Sequence, residues 1–249
     1  MVKTIFAVCA LLLVSLTVIA KPFRVVSEHL PPHQISYNGK FIGGTSYLIM
    51  KEVLRRAGFP ERMEVLPWAR AYKTAQEEDN VIIFSLARSA KREKLFKWIG
   101  KLEDIEFNFY ALRTSNGPIL NTFEDALQYN TVTVRNSISS EILQRLGFVE
   151  GHNLTLTVGI IDAWNMLRKG RTNFTYTNNT IAQNMYSNFG MKADAFVKQS
   201  VSSEKQAVFV AASLGTDDCV IKKLSDVLKQ LKQDGTYETI LAIQHPAVK

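Results

Sequence analysis

The chain has 249 residues and a formal net charge of +7 at pH 7, from 30 lysine and arginine residues against 23 aspartate and glutamate residues. Hydrophobic residues make up 46% of it and charged residues 21%, a globular composition that excludes a mostly disordered chain. Two cysteines exclude a fold built on disulfides. The basic residues are scattered, so we expect no nucleic-acid partner and attribute the charge to anionic ligands or surfaces.

The first twenty residues have the pattern of a secretory signal peptide. Lys3 supplies a positive charge, and an apolar run extends from Ile5 to Ala20. The run ends in Val18, Ile19 and Ala20, with small residues at the two positions that a signal peptidase reads. The alternative is a membrane anchor, but the run is shorter than the ~20 residues that a span needs. We therefore expect cleavage after Ala20 and an exported protein.

Strand and helix patterns alternate after the expected cleavage site. Strand patterns occupy residues 23–27, 63–66 and 81–84, and helix patterns occupy residues 45–57 and 67–75. The last of these strands is apolar throughout, which is typical of a parallel sheet covered on both faces. This order predicts an open α/β lobe.

A second unit with the same order follows Pro118. Its strand patterns occupy residues 131–134, 154–158 and 173–177, and its helix patterns occupy residues 137–146, 162–169 and 181–189. Asp162 is the expected N-cap of the middle helix. The sequence therefore predicts two successive α/β units.

The clearest helix pattern lies near the C-terminus. Apolar residues recur there at a period of 3.6 from Val220 to Leu231. Thr216 is the expected N-cap and Gly235 the expected stop, and a second short helix follows over residues 237–243. No third core is available to cover the apolar stripe, so we expect both helices to pack on the first unit.

Catalytic and metal motifs are mostly absent. The sequence has no phosphate-binding glycine-rich loop, no G-x-S-x-G nucleophile motif and no HExxH zinc motif. His29 and His33 are four residues apart, but Pro31 and Pro32 lie between them, so they are not a metal pair on a helix. We therefore expect no metal and no cofactor.

Several short motifs occur in a fixed order along almost the whole mature chain. They are Pro31-Pro32-His33, the segment 38–44, Pro67-Trp68, the segment 85–93 (SLARSAKRE), Phe96-Lys97-Trp98, the segment 170–173 (GRTN) and the segment 233–237 (QDGTY). In this order they resemble family 3 of the bacterial extracellular solute-binding proteins, which contains the amino-acid receptors of ABC transporters.

The resemblance implies the type II periplasmic-binding-protein fold, with two α/β lobes joined by two hinge strands. Lobe one would hold residues 21–109 and 209–249, and lobe two would hold residues 110–208. The chain would cross between lobes near residues 109–112 and 206–210. Ligand would bind in the cleft between the lobes and be buried when the hinge closes.

The resemblance also implies ligand-binding residues in lobe one. Arg92 matches the arginine that grips the α-carboxylate of the ligand, and its planar guanidinium suits a paired hydrogen bond to a carboxylate. Arg88 either contacts the ligand or lies on the surface. Ser85 would offer the ligand its hydroxyl group or its backbone N–H group. Trp68 follows a strand-to-helix turn and offers a flat wall, with core burial as the alternative.

The remaining candidates lie in the first cleft loop and in lobe two. Leu30 and His33 are expected in the first loop. Ser137 and Ile138, with Ser139, begin a helix whose free N–H groups suit an anion, although the serine also serves as a cap.

One departure from the family pattern concerns charge. Asn178 stands where the amino-acid receptors carry the aspartate that pairs with the α-ammonium group of the ligand. An amide has no formal negative charge, so a standard α-amino acid is not assured, whereas a carboxylate-bearing or polar ligand still suits the site.

The leading prediction is a monomeric periplasmic solute-binding protein without catalysis. It would capture a small polar, carboxylate-bearing, amino-acid-like ligand for an ABC permease or a membrane sensor. The alternative is a periplasmic enzyme, dehydratase-like, on the same scaffold, with Glu28 and His29 as candidate acid–base groups.

Overall fold

A computed structural model of the protein describes residues 23–114, 117–192, 194–201 and 204–243. The predicted signal peptide, residues 1–20, lies outside the described residues, as do residues 244–249, which the sequence assigns to lobe one. Within the described ranges, no helix has the length and apolar character needed to cross a membrane.

The chain alternates strands and helices, as the sequence predicts. The strands are β1 (Arg24–Ser27), β2 (Ile35–Tyr37), β3 (Lys40–Gly43), β4 (Glu64–Val65), β5 (Val81–Ala87), β6 (Lys97–Leu112), β7 (Thr131–Val134), β8 (Leu154–Thr157), β9 (Phe174–Asn178), β10 (Phe196–Lys198) and β11 (Glu204–Ala212). The α-helices are α1 (Thr45–Arg56), α2 (Trp68–Glu77), α3 (Ile138–Arg145), α4 (Ile160–Arg168), α5 (Asn179–Asn188), α6 (Asp218–Gln233) and α7 (Thr236–Leu241). A short 3₁₀ helix spans Glu124–Gln128.

Two helix starts differ from the predicted ones. The N-cap of α6 is Asp217, whose carboxylate accepts a hydrogen bond from the Cys219 N–H at 2.7 Å, so the prediction of Thr216 was wrong. Helix α4 starts after Gly159, which places Asp162 inside its first turn rather than at the cap.

Among the described residues, nine strands form one continuous sheet in the order β4-β1-β5-β11-β6-β9-β7-β8, with β10 paired to β6. We call β1–β5 with α1, α2, α6 and α7 lobe one, and β7–β9 with α3–α5 lobe two. Within lobe one β1 runs parallel to β4 and β5, and within lobe two β7 runs parallel to β8 and β9. Strands β6 and β11 are antiparallel and link the two lobes.

Strand β6 changes its partner at Phe107. It pairs with β11 from Lys97 to Phe107 and with β9 from Phe107 to Ala111. This change lies slightly before the crossing that the sequence predicts near residues 109–112. The hinge therefore consists of one long strand and the shorter strand bonded alongside it.

Both faces of the sheet are covered by helices. The neighbouring residues Val25 and Val26 of β1 belong to two different apolar clusters, as expected for a strand buried on both sides. The apolar stripe of α6 is buried against lobe one, where Leu228 packs on β6 at Gly100. Helices α6 and α7 also contact α1 of lobe one, which is where the sequence predicts that the C-terminal helices pack.

Candidate functional site

The carboxyl ends of strands from both lobes meet at a cavity of about 70 Å³. This is the position at which open α/β sheets bind ligands. In the part of the chain that the structure describes, twenty residues line the cavity: Glu28, Leu30, His33, Trp68, Ser85, Ala87, Arg92, Glu103, Ile105, Phe107, Thr133, Val134, Ser137, Ile138, Ser139, Ile160, Thr177, Asn178, Ile181 and Val208. The set includes eight of the nine ligand-binding residues predicted from the sequence. At this size the cavity has room for a few water molecules, so a larger ligand needs the lobes to open.

Ser85 reaches the cavity through an irregularity in β5. The register between β5 and β11 shifts beside it, and its backbone adopts a φ of 60°, which residues other than glycine rarely do. Bulges of this kind turn a side chain away from the regular face of a sheet. The Ser85 hydroxyl donates a 3.0 Å hydrogen bond to Oε1 of Gln34.

The loop after β1 places Leu30 and His33 at the cavity. Leu30 and Gln34 bond each other through both backbone N–H groups, which closes a tight turn. Gly44 packs against the backbone of this turn: a Cβ atom at Gly44 would lie 2.4 Å from the carbonyl oxygen of His33. Gly44 also has a φ of 104°, so the close approach and the backbone angle both require glycine.

His33 is tied to the hinge by a short contact. Its Nδ1 lies 2.8 Å from Oε1 of Glu103, a residue of β6. His33 is 4% exposed, and its Nε2 is buried without a hydrogen-bond partner among the described residues.

Glu28 is a buried carboxyl group in the cavity wall. It is 7% exposed, and within the described ranges its side chain has no hydrogen-bond or ion-pair partner. Burial raises the pKa of Glu28 from the ordinary 4.5 to about 8, because removing the carboxylate from water disfavours its charged form. At neutral pH this carboxyl group is therefore mostly protonated.

Trp68 and Arg92 hold the two lobes together. The indole N–H of Trp68 donates a 2.8 Å hydrogen bond to the carbonyl oxygen of Asn136 in lobe two. Arg92 donates to the same oxygen at 3.1 Å and forms an ion pair with Glu141 of α3, with Nη2 2.6 Å from Oε1. These contacts describe a closed arrangement of the lobes.

The guanidinium group of Arg92 is fully buried. Besides Glu141 and Asn136 it contacts the carbonyl oxygen of Ala87, and it lies 4.8 Å above the ring of Tyr72. Both Nε and Nη2 bond Oε1 of Glu141, so a carboxylate of the protein itself occupies the edge that the sequence predicts for the ligand.

In lobe two, the start of α3 and the end of β9 face the cavity. The Ser137 hydroxyl caps α3 by accepting from the Ser140 N–H at 3.2 Å, and Ile138 lies in the first turn. Asn178 is the N-cap of α5 and accepts from the Ile181 N–H at 2.9 Å. Ser137 and Asn178 therefore combine helix capping with a place in the cavity wall.

Two residues singled out from the sequence lie outside the cavity. Arg88 forms an ion pair with Glu93 and lies over the rings of Trp98 and Phe209, so we leave it out of the candidate site. His29, a candidate acid–base group, accepts a 2.9 Å hydrogen bond from the Ser36 N–H through Nδ1 and does not line the cavity.

Sequence reasoning missed Glu103 and Glu141. Each comes from an element far from Arg92 or His33 in the chain, and the family motifs contain neither residue. The described residues hold no group of three or more histidine, cysteine, aspartate or glutamate side chains that could bind a metal ion.

No protein-family model matches the sequence, and no curated protein does either. Solved structures do match the fold. A histidine kinase sensor domain with similarity to periplasmic binding proteins has a TM-score of 0.78 at 20% identity, covering 89% of this chain and 95% of that one. The arginine-, lysine-, histidine-binding protein ArtJ from Geobacillus stearothermophilus has a TM-score of 0.76 at 15% identity, covering 89% and 94%.

The GluR0 ligand-binding core from Nostoc punctiforme, in complex with L-glutamate, has a TM-score of 0.74 at 14% identity and covers 88% of this chain and 97% of that one. All three are binding or sensor domains rather than enzymes. The likenesses show that this chain has the two-lobed α/β fold of periplasmic binding proteins. They support the resemblance to the family 3 solute-binding proteins.

Proposed function

We propose that the chain is a periplasmic solute-binding protein that captures a small polar, amino-acid-like ligand between its lobes. The observation that supports this most directly is the cavity itself, which both lobes and the hinge strands line with buried polar groups. The signal pattern at the N-terminus supports export to the periplasm, and we propose a monomer that needs no metal or cofactor.

We propose two alternative partner proteins for the ligand-bound form. The similar structures include the sensor domain of a histidine kinase and a binding protein for arginine, lysine and histidine. This protein would correspondingly hand its ligand to an ABC permease or report it to a membrane sensor.

We place the carboxylate of the ligand at Arg92, beside the start of α3. A guanidinium group and the N–H groups at a helix start both favour an anion. Glu141 holds the guanidinium in the closed arrangement. The ligand carboxylate must therefore take the place of Glu141, and the internal ion pair competes with binding.

The test begins with a thermal-shift screen of the 20 standard L-amino acids and of small organic acids, since a ligand of the folded state raises its stability. Calorimetry on the best of these compounds follows with three variants. Arg92→Ala should weaken binding by about 2–5 kcal/mol, because one partner of a buried charge pair is lost. Glu141→Gln should strengthen it several-fold, because the competing carboxylate is gone. Arg135→Ala, at a surface ion pair with Glu150, is the control.

The outcomes separate two roles for Arg92. If Glu141→Gln weakens binding as much as Arg92→Ala does, the ion pair only closes the lobes and the carboxylate placement is wrong. If no compound in the screen stabilises the protein, the amino-acid-like ligand is wrong.

The second candidate is an enzyme on the same scaffold. Glu28 favours it, because a mostly protonated carboxyl group in a cleft is suited to general acid catalysis. His33, rather than His29, is the histidine that shares the cavity with it. Proton NMR of each stabilising compound after overnight incubation distinguishes the candidates: a new product supports the enzyme, and unchanged spectra support the binder.

A further inference from the structure

Much of the cavity wall is apolar. Half of the lining residues in the described ranges are hydrophobic, and each of them belongs to or packs against one of the two apolar clusters. They come from lobe one, from the hinge strands β6 and β11 and from lobe two, and they are Leu30, Trp68, Ala87, Ile105, Phe107, Val134, Ile138, Ile160, Ile181 and Val208. The apolar interiors of both lobes therefore reach the surface that faces a ligand.

The ionisable side chains of the wall have no charge to spare for a ligand side chain. Glu28 is mostly protonated at neutral pH, because burial raises its pKa to about 8, so it offers hydrogen bonds but no charge. Nδ1 of His33 lies 2.8 Å from Oε1 of Glu103, so this pair is made within the protein. Arg92 bonds Glu141, and a ligand carboxylate that replaces Glu141 meets the same guanidinium group in turn. Among the described lining residues, no charged group is then left without a partner.

Hydrogen bonds within the protein also engage uncharged polar side chains of the wall. The Thr133 hydroxyl donates to the backbone carbonyl oxygen of Tyr176 at 3.3 Å, and the Ser137 hydroxyl donates to that of Val134 at 2.7 Å. The Asn178 side chain accepts from an N–H group in the first turn of α5 at 2.9 Å. These groups are satisfied by the fold itself, so they do not require a polar side chain on the ligand.

A ligand side chain that enters this cavity loses its contact with water. A charged side chain would be buried there without an opposite charge, and a hydroxyl or amide group would lose hydrogen bonds to water that an apolar wall does not replace. An aliphatic side chain has no such loss, and its burial against apolar residues is favourable. The wall therefore favours a ligand that has no polar atoms in the part that it encloses.

We propose that this cavity selects ligands whose side chain is apolar and uncharged. The proposal rests on the proposed solute-binding function and names its ligand class. Such a ligand is polar at the end that meets Arg92 and apolar in the part that the remaining wall encloses. The polarity of the side chain then decides which amino-acid-like compounds the protein captures.

The experiment measures the affinities of paired probes by isothermal titration calorimetry at pH 7 on the exported chain. The members of each pair have equal numbers of non-hydrogen atoms and differ in the polarity of the side chain: L-leucine with L-aspartate, L-norleucine with L-ornithine, and L-valine with L-threonine. Where one member is charged, the apolar member should bind roughly a hundredfold or more tightly. L-Valine should bind roughly tenfold more tightly than L-threonine.

A matched pair of variants tests whether the wall makes this selection. Val134→Thr keeps the shape of a lining side chain and adds a hydroxyl group to it, so it should weaken the binding of L-leucine roughly tenfold. Val158→Thr makes the same change at a residue that is 66% exposed and does not line the cavity, and it should leave that affinity unchanged. Circular dichroism verifies that each variant is folded, and the comparison of probes on the parent protein decides the matter without any variant.

Two results overturn the apolar selection and leave the solute-binding function standing. One is a polar probe that binds the parent protein as tightly as its apolar counterpart. The other is a folded Val134→Thr variant that binds L-leucine as tightly as the parent does. Absence of binding by all six probes also overturns the apolar selection, and the proposed function fails with it if the thermal-shift screen finds no ligand either.

Discussion

Glu28→Gln should change the pH dependence of stability. Glu28 has a pKa of about 8 in the folded protein, against 4.5 for an ordinary glutamate. Between these two values the folded chain holds a proton that the unfolded chain has released, so the free energy of unfolding falls as the pH rises. Below pH 4.5 and above pH 8, Glu28 no longer contributes a slope.

The change in the free energy of unfolding follows from the difference between the two pKa values of Glu28. The difference is about 3.5 units, and each unit corresponds to about 1.4 kcal/mol, so the free energy of unfolding falls by about 5 kcal/mol from pH 4.5 to pH 8. That is comparable to the whole stability of many folded proteins. Glutamine keeps the shape of the side chain and cannot ionise, so the variant escapes this loss.

The assay is urea denaturation of the parent chain and of Glu28→Gln at half-unit steps from pH 4.5 to pH 9. The difference between their free energies of unfolding should move in favour of the variant by about 5 kcal/mol across the range and then level off. A difference that stays constant with pH would refute the reasoning, because Glu28 would then titrate in the folded protein as it does in the unfolded chain.

Three other changes have definite expected outcomes. Gly44→Ala should lower the free energy of unfolding by about 2 kcal/mol or more and weaken binding, since its Cβ would displace the His33 backbone; a fully stable variant would contradict the described turn. Trp68→Phe removes the hydrogen bond to Asn136, worth about 1 kcal/mol, so small-angle scattering should show a larger ligand-free radius of gyration than for the parent; an unchanged radius would mean that this bond does not hold the lobes closed. Mass spectrometry of the exported protein should find Lys21 as its first residue, and an intact Met1 on membrane-bound protein would refute the signal peptide.

The sequence predicts the regular elements well where pattern alone decides them. Residues 131–134 form a strand with the predicted bounds, because a run of threonine and valine leaves few alternatives. Helix starts are harder, since adjacent residues such as Thr216 and Asp217 compete to cap the same N–H groups. The full length of β6 could not be predicted from the sequence either, because polar residues such as Glu103 and Glu106 interrupt its apolar pattern.

The sequence likewise predicts some residues of the candidate site and misses others. Motifs at fixed positions in the chain place Trp68, Ser85 and Asn178 at the cavity, because each lies near the carboxyl end of a strand. The ion-pair partners of the charged side chains, in contrast, cannot be predicted from the local sequence pattern. Glu141 and Arg92 meet across the two lobes, and Glu103 of β6 meets His33 of the first loop, although neither pair is close in the chain. Such pairs depend on tertiary distance, which no spacing in the sequence encodes.

Because β6 is continuous, the same stretch of backbone lines the ligand cavity and bends when the lobes rotate. Glu103, Ile105 and Phe107 line the cavity on the stretch where the strand passes from lobe one to lobe two. Rotation of one lobe against the other has to twist this stretch, and it shifts the carboxylate of Glu103 relative to the imidazole of His33. The affinity for ligand and the angle between the lobes therefore change together, because both depend on the conformation of this stretch of β6. A substitution in β6 that alters the resting angle will also alter which ligands are held, even where the new side chain never touches them.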